Sequence, residues 1–254
     1  MKKKISSKDL EKFSRQILIN EIGLEGQLKI FESKILIVGC GGLGSIAATY
    51  LSMSGVKKIG LVDNDKIELS NIPRQLFFFE QDIGKYKADV LKKKLSKQNP
   101  DSVIETFNKR FSIGNSKEIL KNYKIVLDCS DNFSTKYLLN DQCYKYKKIL
   151  VSAALFNFEL QLFAFKSWLG GLPCYRCIFP KKTFQSTNCT RLGILSTVAG
   201  IGGMFQANMA LNIILEKSNK LFKIFHLYNS LTGQNKIIEI SKNKSCKICN
   251  KIKF

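Results

Sequence analysis

Two cysteine pairs and one glycine-rich turn carry the residue types in this sequence that could do chemistry. The pairs are Cys174-Tyr-Arg-Cys177 and Cys246-Lys-Ile-Cys249. Two residues between cysteines let both sulfurs bind one tetrahedral ion, so four thiolates could form a closed zinc site. With no ligand position left open, such a zinc would be structural. It would clip the C-terminal end of the chain onto the body. Redox dithiols and uncoordinated core cysteines are the other readings of this spacing. Cys189 stands apart, in the polar stretch KKTFQSTNCTR (residues 181–191), where Lys181, Lys182 and Arg191 would favour its thiolate. Cys40, Cys129 and Cys143 fall in apolar segments and read as small core residues.

The glycine-rich turn is ILIVGCGGLG, residues 35–44. Gly39, Gly41 and Gly44 match the spacing G-x-G-x-x-G, with Gly42 inside it. Such glycines permit a tight turn and a close approach of phosphate to backbone N–H groups at a helix start. Asp63 follows at the end of the next apolar run, where a ribose hydroxyl would be held. A tight turn without ligand is the plain alternative. The spacing alone does not separate NAD from ATP.

The elements that must position these groups alternate. Residues 8–31 read as helix, 35–38 as a buried strand, 43–54 as a helix of small residues, and 58–63 as a second strand. A helix over 85–98 follows, then strands at 103–108, 125–129 and 148–153, with a helix starting near Phe133. Alternating strands and helices predict an α/β fold: a Rossmann-like, mostly parallel sheet with helices on both faces. From about residue 154 the pattern changes. Residues 159–166, and 224–240 around Thr232-Gly233, read as antiparallel strands that extend the sheet in the C-terminal third. Residues 193–215 are long and uncharged enough for a membrane span. Their polar residues and glycines favour a loop and a buried, closely packed helix. With no repeat or linker visible, residues 1–254 read as one domain.

The formal net charge is +21, which raises nucleic acid as a partner. Lysines spread along the chain without a basic tail argue against it. Arginine, the rigid two-pronged phosphate ligand, stands only at 15, 74, 110, 176 and 191 among 41 cationic side chains. The lysine-rich start has no apolar stretch behind it, so no secretory signal is expected. Eight cysteines in such a chain favour metal or thiol chemistry over disulfides and point to the cytoplasm.

After Asp63 come ELSNIPRQ (68–75), DIGKYK (82–87) and LDCSDN (127–132). The chain opens with FSRQILINEIGLEGQ (13–27) and closes on two distant CxxC pairs. In this order the segments resemble the ThiF/MoeB family of adenylating enzymes, which share their fold with ubiquitin-activating enzymes. The resemblance covers nearly the whole chain. It implies a nucleotide-binding half, about 30–150, and a carrier- and zinc-binding half, about 151–254. It implies that ATP and the C-terminal Gly-Gly carboxylate of a small ubiquitin-like sulfur-carrier protein form acyl-AMP and pyrophosphate. Thiocarboxylate formation for thiamin or molybdopterin would follow.

By this resemblance Gly39, Gly41, Gly42 and Gly44 lie beneath the nucleotide and Asp63 holds its ribose. Asn71, Arg74 and Lys87 contact phosphates, and Asp131 holds Mg²⁺, a hard cation that takes oxygen ligands. Arg15 resembles the arginine that reaches the phosphates from the second subunit of a homodimer. Cys189 matches the position where some relatives carry a reactive cysteine. Family members also carry the four-cysteine site. Taken singly, Lys87 could be a solvated helix lysine and Asp131 could cap the helix near Phe133. Three departures stand out. SNIPRQ replaces the usual SNLQRQ, NFELQ (157–161) replaces GFEGQ near the expected path of the carrier tail, and no sulfurtransferase segment follows the second CxxC. A separate sulfur donor or sulfurtransferase would then be needed. The rival readings are an NAD-dependent dehydrogenase, an ATP-dependent enzyme that cyclises a modified tRNA adenosine, and a non-catalytic zinc scaffold. The only histidine, His226, lies on a late strand without an obvious proton-transfer partner.

Overall fold

The computed structural model describes residues 5–180 and 193–250. Three helices, α1 (Ser7–Lys12), α2 (Ser14–Ile17) and α3 (Gly23–Glu32), lead into β1 (Lys34–Val38). The single helix expected over 8–31 is therefore broken. Phe13 is buried edge-on against Phe31 at 5.0 Å. Gly23 takes a φ of 55°. The segment wraps the body instead of projecting from it.

β1 runs into α4 (Gly42–Met53), then β2 (Lys58–Val62), α5 (Lys87–Gln98) and β3 (Val103–Phe107). Next come α6 (Ile113–Leu120), β4 (Ile125–Asp128), α7 (Phe133–Lys145) and β5 (Ile149–Phe156). The remainder is β6 (Glu159–Phe165), α8 (Tyr175–Ile178), α9 (Ser196–Ile214), β7 (Ile224–Asn229) and β8 (Asn235–Glu239). One sheet holds all eight strands in the order β3-β2-β1-β4-β5-β6-β7-β8. Its first five strands are parallel, and β6, β7 and β8 each run antiparallel to the strand before. The mixed sheet expected from the sequence is what forms. α6 was not read from the sequence: it spans only eight residues, about two turns, and its capping box rests on Ser112 and Asn115.

Alternate strand residues feed two cores. Ile35, Ile37, Ile59, Leu61, Ile125 and Leu127 pack with α4, α5 and α9 on one face. Leu36, Val38, Val62, Val126 and Leu150 pack with α6 and α7 on the other. The helices change face because the chain, having laid β2 and β3 to one side of β1, returns to lay β4 and β5 on the other. With one crossover hand, reversing direction across the sheet reverses the covered face. The reversal opens a crevice at the carboxyl ends of β1 and β4, the usual ligand position in such sheets.

α9 is the buried helix expected after residue 193. A Cβ on Gly203 would lie 2.6 Å from Leu43 O and from Ile46 Cβ, so the helix can lie against α4 only because that position is glycine. No helix among the described residues is long and apolar enough to cross a membrane. In the β5–β6 turn Asn157 adopts φ 52°, a conformation that asparagine tolerates better than most side chains. Leu160 is buried beside Gly202 of α9.

Candidate functional site

The glycine turn fills the mouth of the β1/β4 crevice. Gly39 has φ 96°, and a Cβ there would meet the carbonyl of Cys129 at 2.7 Å, so the loops after β1 and β4 touch. A Cβ on Gly42 would meet Arg74 O at 2.8 Å, and one on Gly44 would overlap Gly39 O. These three glycines are required by the protein's own packing. Gly41 differs. A Cβ there would meet only the Gln75 side chain, at 3.5 Å, so no protein group claims the space in front of it. Gly41 is also the residue before the first turn of α4, where unpaired N–H groups and the helix dipole favour an anion.

Asp63 follows β2 and closes the turn from below. Its Oδ2 accepts the Cys40 N–H at 2.7 Å and its Oδ1 accepts the Asp65 N–H at 2.8 Å. Burial raises its pKa, while these two bonds and the nearby Lys87 oppose the rise. Lys87 opens α5 and is itself buried. Its Nζ lies 3.0 Å from Asp65 Oδ2, so it is a held cation beside the turn and not a solvated helix lysine.

ELSNIPRQ folds as a short 3₁₀ helix, Leu69–Arg74, and Pro73 is accommodated inside it. Asn71 is buried, and its Oδ1 accepts the Glu68 N–H at 3.2 Å. Arg74 donates to Ser70 O at 2.7 Å, and its side chain is exposed. Ser196 at the start of α9 donates to Pro73 O at 2.6 Å, which fixes this segment against the turn.

At the carboxyl end of β4, Asn132, not Asp131, caps α7: its Oδ1 accepts the Thr135 N–H at 2.9 Å. Asp131 is left exposed, and among the described residues it accepts only a side-chain bond from Asn132 at 3.3 Å. The alternative of a plain capping role for Asp131 is thereby removed.

Sequence reasoning missed the floor of the site. Asp128 is fully buried, and its Oδ1 accepts both the N–H and the hydroxyl of Ser130, at 3.1 and 2.6 Å. Its Oδ2 takes Ser152 Oγ at 2.6 Å and Lys136 Nζ at 3.2 Å. Lys136 also donates to Ala153 O at 2.7 Å. Gln206 of α9 donates to Asp128 O and Val151 O, both at 2.9 Å. The aspartate was visible in LDCSDN, but nothing in the sequence said which cation eight positions later would be buried beneath it.

Arg15 is not gathered here. Lys12 bonds Asn99 and Asp101 at 2.6 and 3.1 Å, and Lys57 pairs with Asp9 at 3.3 Å. These contacts moor the N-terminal helices at the start ends of β2 and β3. β1, which parallels them, spans five residues, about 16 Å. Arg15 is exposed at that opposite end. Cys189 lies outside the described residues.

The four cysteines of the two CxxC pairs do converge. Their sulfurs all lie within 4.8 Å of one another. Three neighbouring pairs stand at 3.6, 3.8 and 3.4 Å. Zinc–sulfur bonds of about 2.3 Å in a tetrahedron place sulfurs about 3.8 Å apart, so the set fits zinc. Hydrogen bonds from Cys174 and Cys249 hold the Cys177 thiol well below its ordinary range. Three hydrogen bonds tie the corner to α7. Asn140 Oδ1 accepts the Tyr175 N–H at 2.9 Å, and Arg176 grips Asp141 with two bonds of 2.7 Å while lying over the Tyr137 ring. Arg176 is thus a structural clamp. Cys40, Cys129 and Cys143 are buried with thiols raised by burial, as core residues should be.

A glycine turn at the switch point of a doubly wound sheet, together with a four-cysteine cluster that could hold zinc, defines an α/β protein of the nucleotide-binding type. The chain belongs to the ThiF family, whose pattern matches residues 13–248. It is 36% identical over 250 residues to "Adenylyltransferase and sulfurtransferase MOCS3" of Aedes aegypti, covering 97% of this chain and 57% of that protein. It is 39% identical over 230 residues to "Probable molybdopterin-synthase adenylyltransferase" of Porphyra purpurea, covering 89% and 60%. The chain therefore spans little more than half the length of these relatives. Among solved structures, E. coli MccB with selenomethionine MccA superposes with a TM-score of 0.81 at 21% identity, over 96% of this chain and 75% of that one. PaaA superposes with a TM-score of 0.78 at 19% identity, over 96% and 77%. These two show the shared fold.

Proposed function

We propose that this chain is a nucleotidyltransferase. It would adenylate the C-terminal glycine carboxylate of a small ubiquitin-like sulfur-carrier protein with ATP, releasing pyrophosphate. The observation that carries this is the convergence of four separate segments on the start of α4: the glycine turn, Asp63 with Lys87, Arg74 and the Asp131 loop. A redox dinucleotide site needs the first two only. The names of the relatives agree.

A carboxylate is a poor electrophile because it is anionic and would have to expel oxide. Transfer of AMP onto it supplies a leaving group, but two anions must first meet. Catalysis is then mainly neutralisation and positioning. Gly41 leaves room for the phosphates beneath the helix start. Asp63 faces the ribose, Asn71 orients the 3₁₀ segment, and Arg74 and Lys87 offset phosphate charge. Asp131 would hold Mg²⁺, which draws phosphate oxygens together and lowers their charge. The strand-start location of Arg15 supports a homodimer in which it serves the partner's site, since it cannot reach its own. The four cysteines would hold a structural zinc.

The half at about 30–150 binds nucleotide and the half at about 151–254 binds carrier and metal. Leu160, packed inward against α9, leaves the carrier tail a path shaped by Asn157 and its neighbours. Cys189 is positioned in sequence to accept the acyl group or sulfur, the sulfur coming from a separate donor. Molybdopterin is the pathway the relatives' names favour over thiamin, and the cytoplasm is the compartment that suits the free thiols.

The test is pyrophosphate exchange into ATP with Mg²⁺ and a carrier ending in Gly-Gly. Exchange that needs both supports the proposal. NADH oxidation without exchange, or ATP turnover stimulated only by tRNA, would replace it.

A further inference from the structure

A cavity of about 730 Å³ lies at the end of the sheet opposite the nucleotide turn. Seven of its nineteen lining residues are lysine, whereas Lys and Arg together make up only 41 of 254 residues in the chain. The general lysine bias therefore does not account for it.

Strand register arranges the charges. Lys34 starts β1, and Lys124 and Lys148 immediately precede β4 and β5. Because Ile35 pairs with Ile125, and Ile125 with Ile149, the three lysines form one row across adjacent strands. Neighbouring strands are about 4.8 Å apart. Lys58 at the start of β2 continues the row, since it is the partner of Lys34. Its charge is answered by Glu105 at 2.7 Å. Lys34, Lys124 and Lys148 have no such carboxylate among the described residues. Burial depresses the Lys148 pKa. Lys121, Lys147 and Lys166 add three more cations to the lining, likewise without an ion pair. Two carboxylates, Glu32 and Glu216, also line it, and Glu216 is engaged by Lys29 at 3.1 Å. Lys147 and Glu216 both hold positive φ, 53° and 56°. Glycine is usual there, and side chains cost energy at such positions.

Glu216 offsets part of the charge of Lys124 and Lys166, and the row keeps an excess of cations, about one strand apart, that an anion lying along it would relieve. Beside the lysines the lining offers an aliphatic side chain in half-buried Ile214. A bare oligophosphate would leave that side chain unused. The two rings of the lining, Tyr123 and Phe222, are buried and offer no face for a nucleobase. We infer that this cleft is a docking site for an acidic, partly aliphatic peptide segment of a partner protein, separate from the nucleotide turn.

The experiment is fluorescence anisotropy with the full chain and a labelled twelve-residue peptide of alternating Asp/Glu and Leu. Controls are the Asn/Gln counterpart, a twelve-nucleotide RNA and inorganic polyphosphate. The acidic peptide should bind at least tenfold more tightly than its neutral counterpart, with affinity falling steeply between 50 and 200 mM salt. Lys124→Glu/Lys148→Glu should weaken it at least tenfold, and so should the exposed pair Lys121→Glu/Lys124→Glu, which guards against misfolding. Lys93→Glu/Lys236→Glu, with the same change in net charge elsewhere, should leave it within twofold. Equal losses in all three double variants would reduce the effect to net charge and overturn the inference. Tighter binding of RNA or polyphosphate, lost in the same cleft variants, would overturn the peptide as ligand.

Discussion

The glycine turn and the cysteine corner solve opposite problems. At the turn, every charged group but Arg74 and Asp131 already has a firm partner within the protein. Asp63 is bonded to two N–H groups, Lys87 to Asp65, and Asp128 to Lys136 and two serines. That end of the molecule is organised before any ligand arrives, and among the described residues no group but the Gln75 side chain meets a Cβ built on Gly41. At the corner, four thiols are partnered mainly by each other. Its sulfur spacing is one that a tetrahedral cation would fit. The lesson is that a binding site can be preformed by the fold, or can be part of what makes the fold.

This contrast can be broken or sharpened by five measurements. The largest effect is expected from Gly44→Ala, which drives a Cβ onto the Gly39 carbonyl: no folded protein should be recovered, judged by circular dichroism and size exclusion. A well-folded Gly44→Ala protein would mean the turn is not preformed. Next is metal removal. Cys246→Ser, or a strong chelator, should release one zinc per chain by elemental analysis and lower the Tm by more than about 10 °C. Metal binding there contributes folding free energy directly. Unchanged Tm would make the corner a passive ornament.

Third, Lys136→Met leaves the fully buried Asp128 carboxylate without its cation. A loss of about 3–5 kcal/mol in denaturant unfolding is expected. Fourth, Asp131→Asn and Arg74→Ala should each lower pyrophosphate exchange about 10²- to 10³-fold, as expected for removing one electrostatic stabiliser. The Tm should barely move, because both side chains are exposed. Smallest in stability is Gly41→Ala. A Cβ in ordinary contact with Gln75 should shift unfolding by less than about 1 kcal/mol. Nucleotide affinity, measured by calorimetry, should nevertheless fall, since the Cβ occupies the unclaimed space. Gly41→Ala that binds ATP normally would return that glycine to a purely local role.

Much of this was written in short-range spacing. The period-two apolar runs placed β1 to β7 within a residue or two, except that β5 continues to Phe156. The two CxxC pairs pointed to one four-cysteine cluster, although 68 residues separate Cys177 from Cys246. The glycine spacing identified the turn. What was lost was either short, as in α6, or bent by a contact with a distant residue, as Phe13 on Phe31 breaks the N-terminal helix.

By itself, the sequence determined which groups could do chemistry, because cysteine spacing, glycine spacing and strand alternation are properties of a few adjacent residues. Tertiary structure alone decided how those groups are supported. It chose Asn132 over Asp131 as the cap, buried Lys136 under Asp128, put Arg15 at the far end from its own turn, and aligned Lys34, Lys124 and Lys148 into a row. The physical reason is that each of those outcomes depends on which strands become neighbours and on what is left in water. Neither is encoded within a window shorter than the whole sheet.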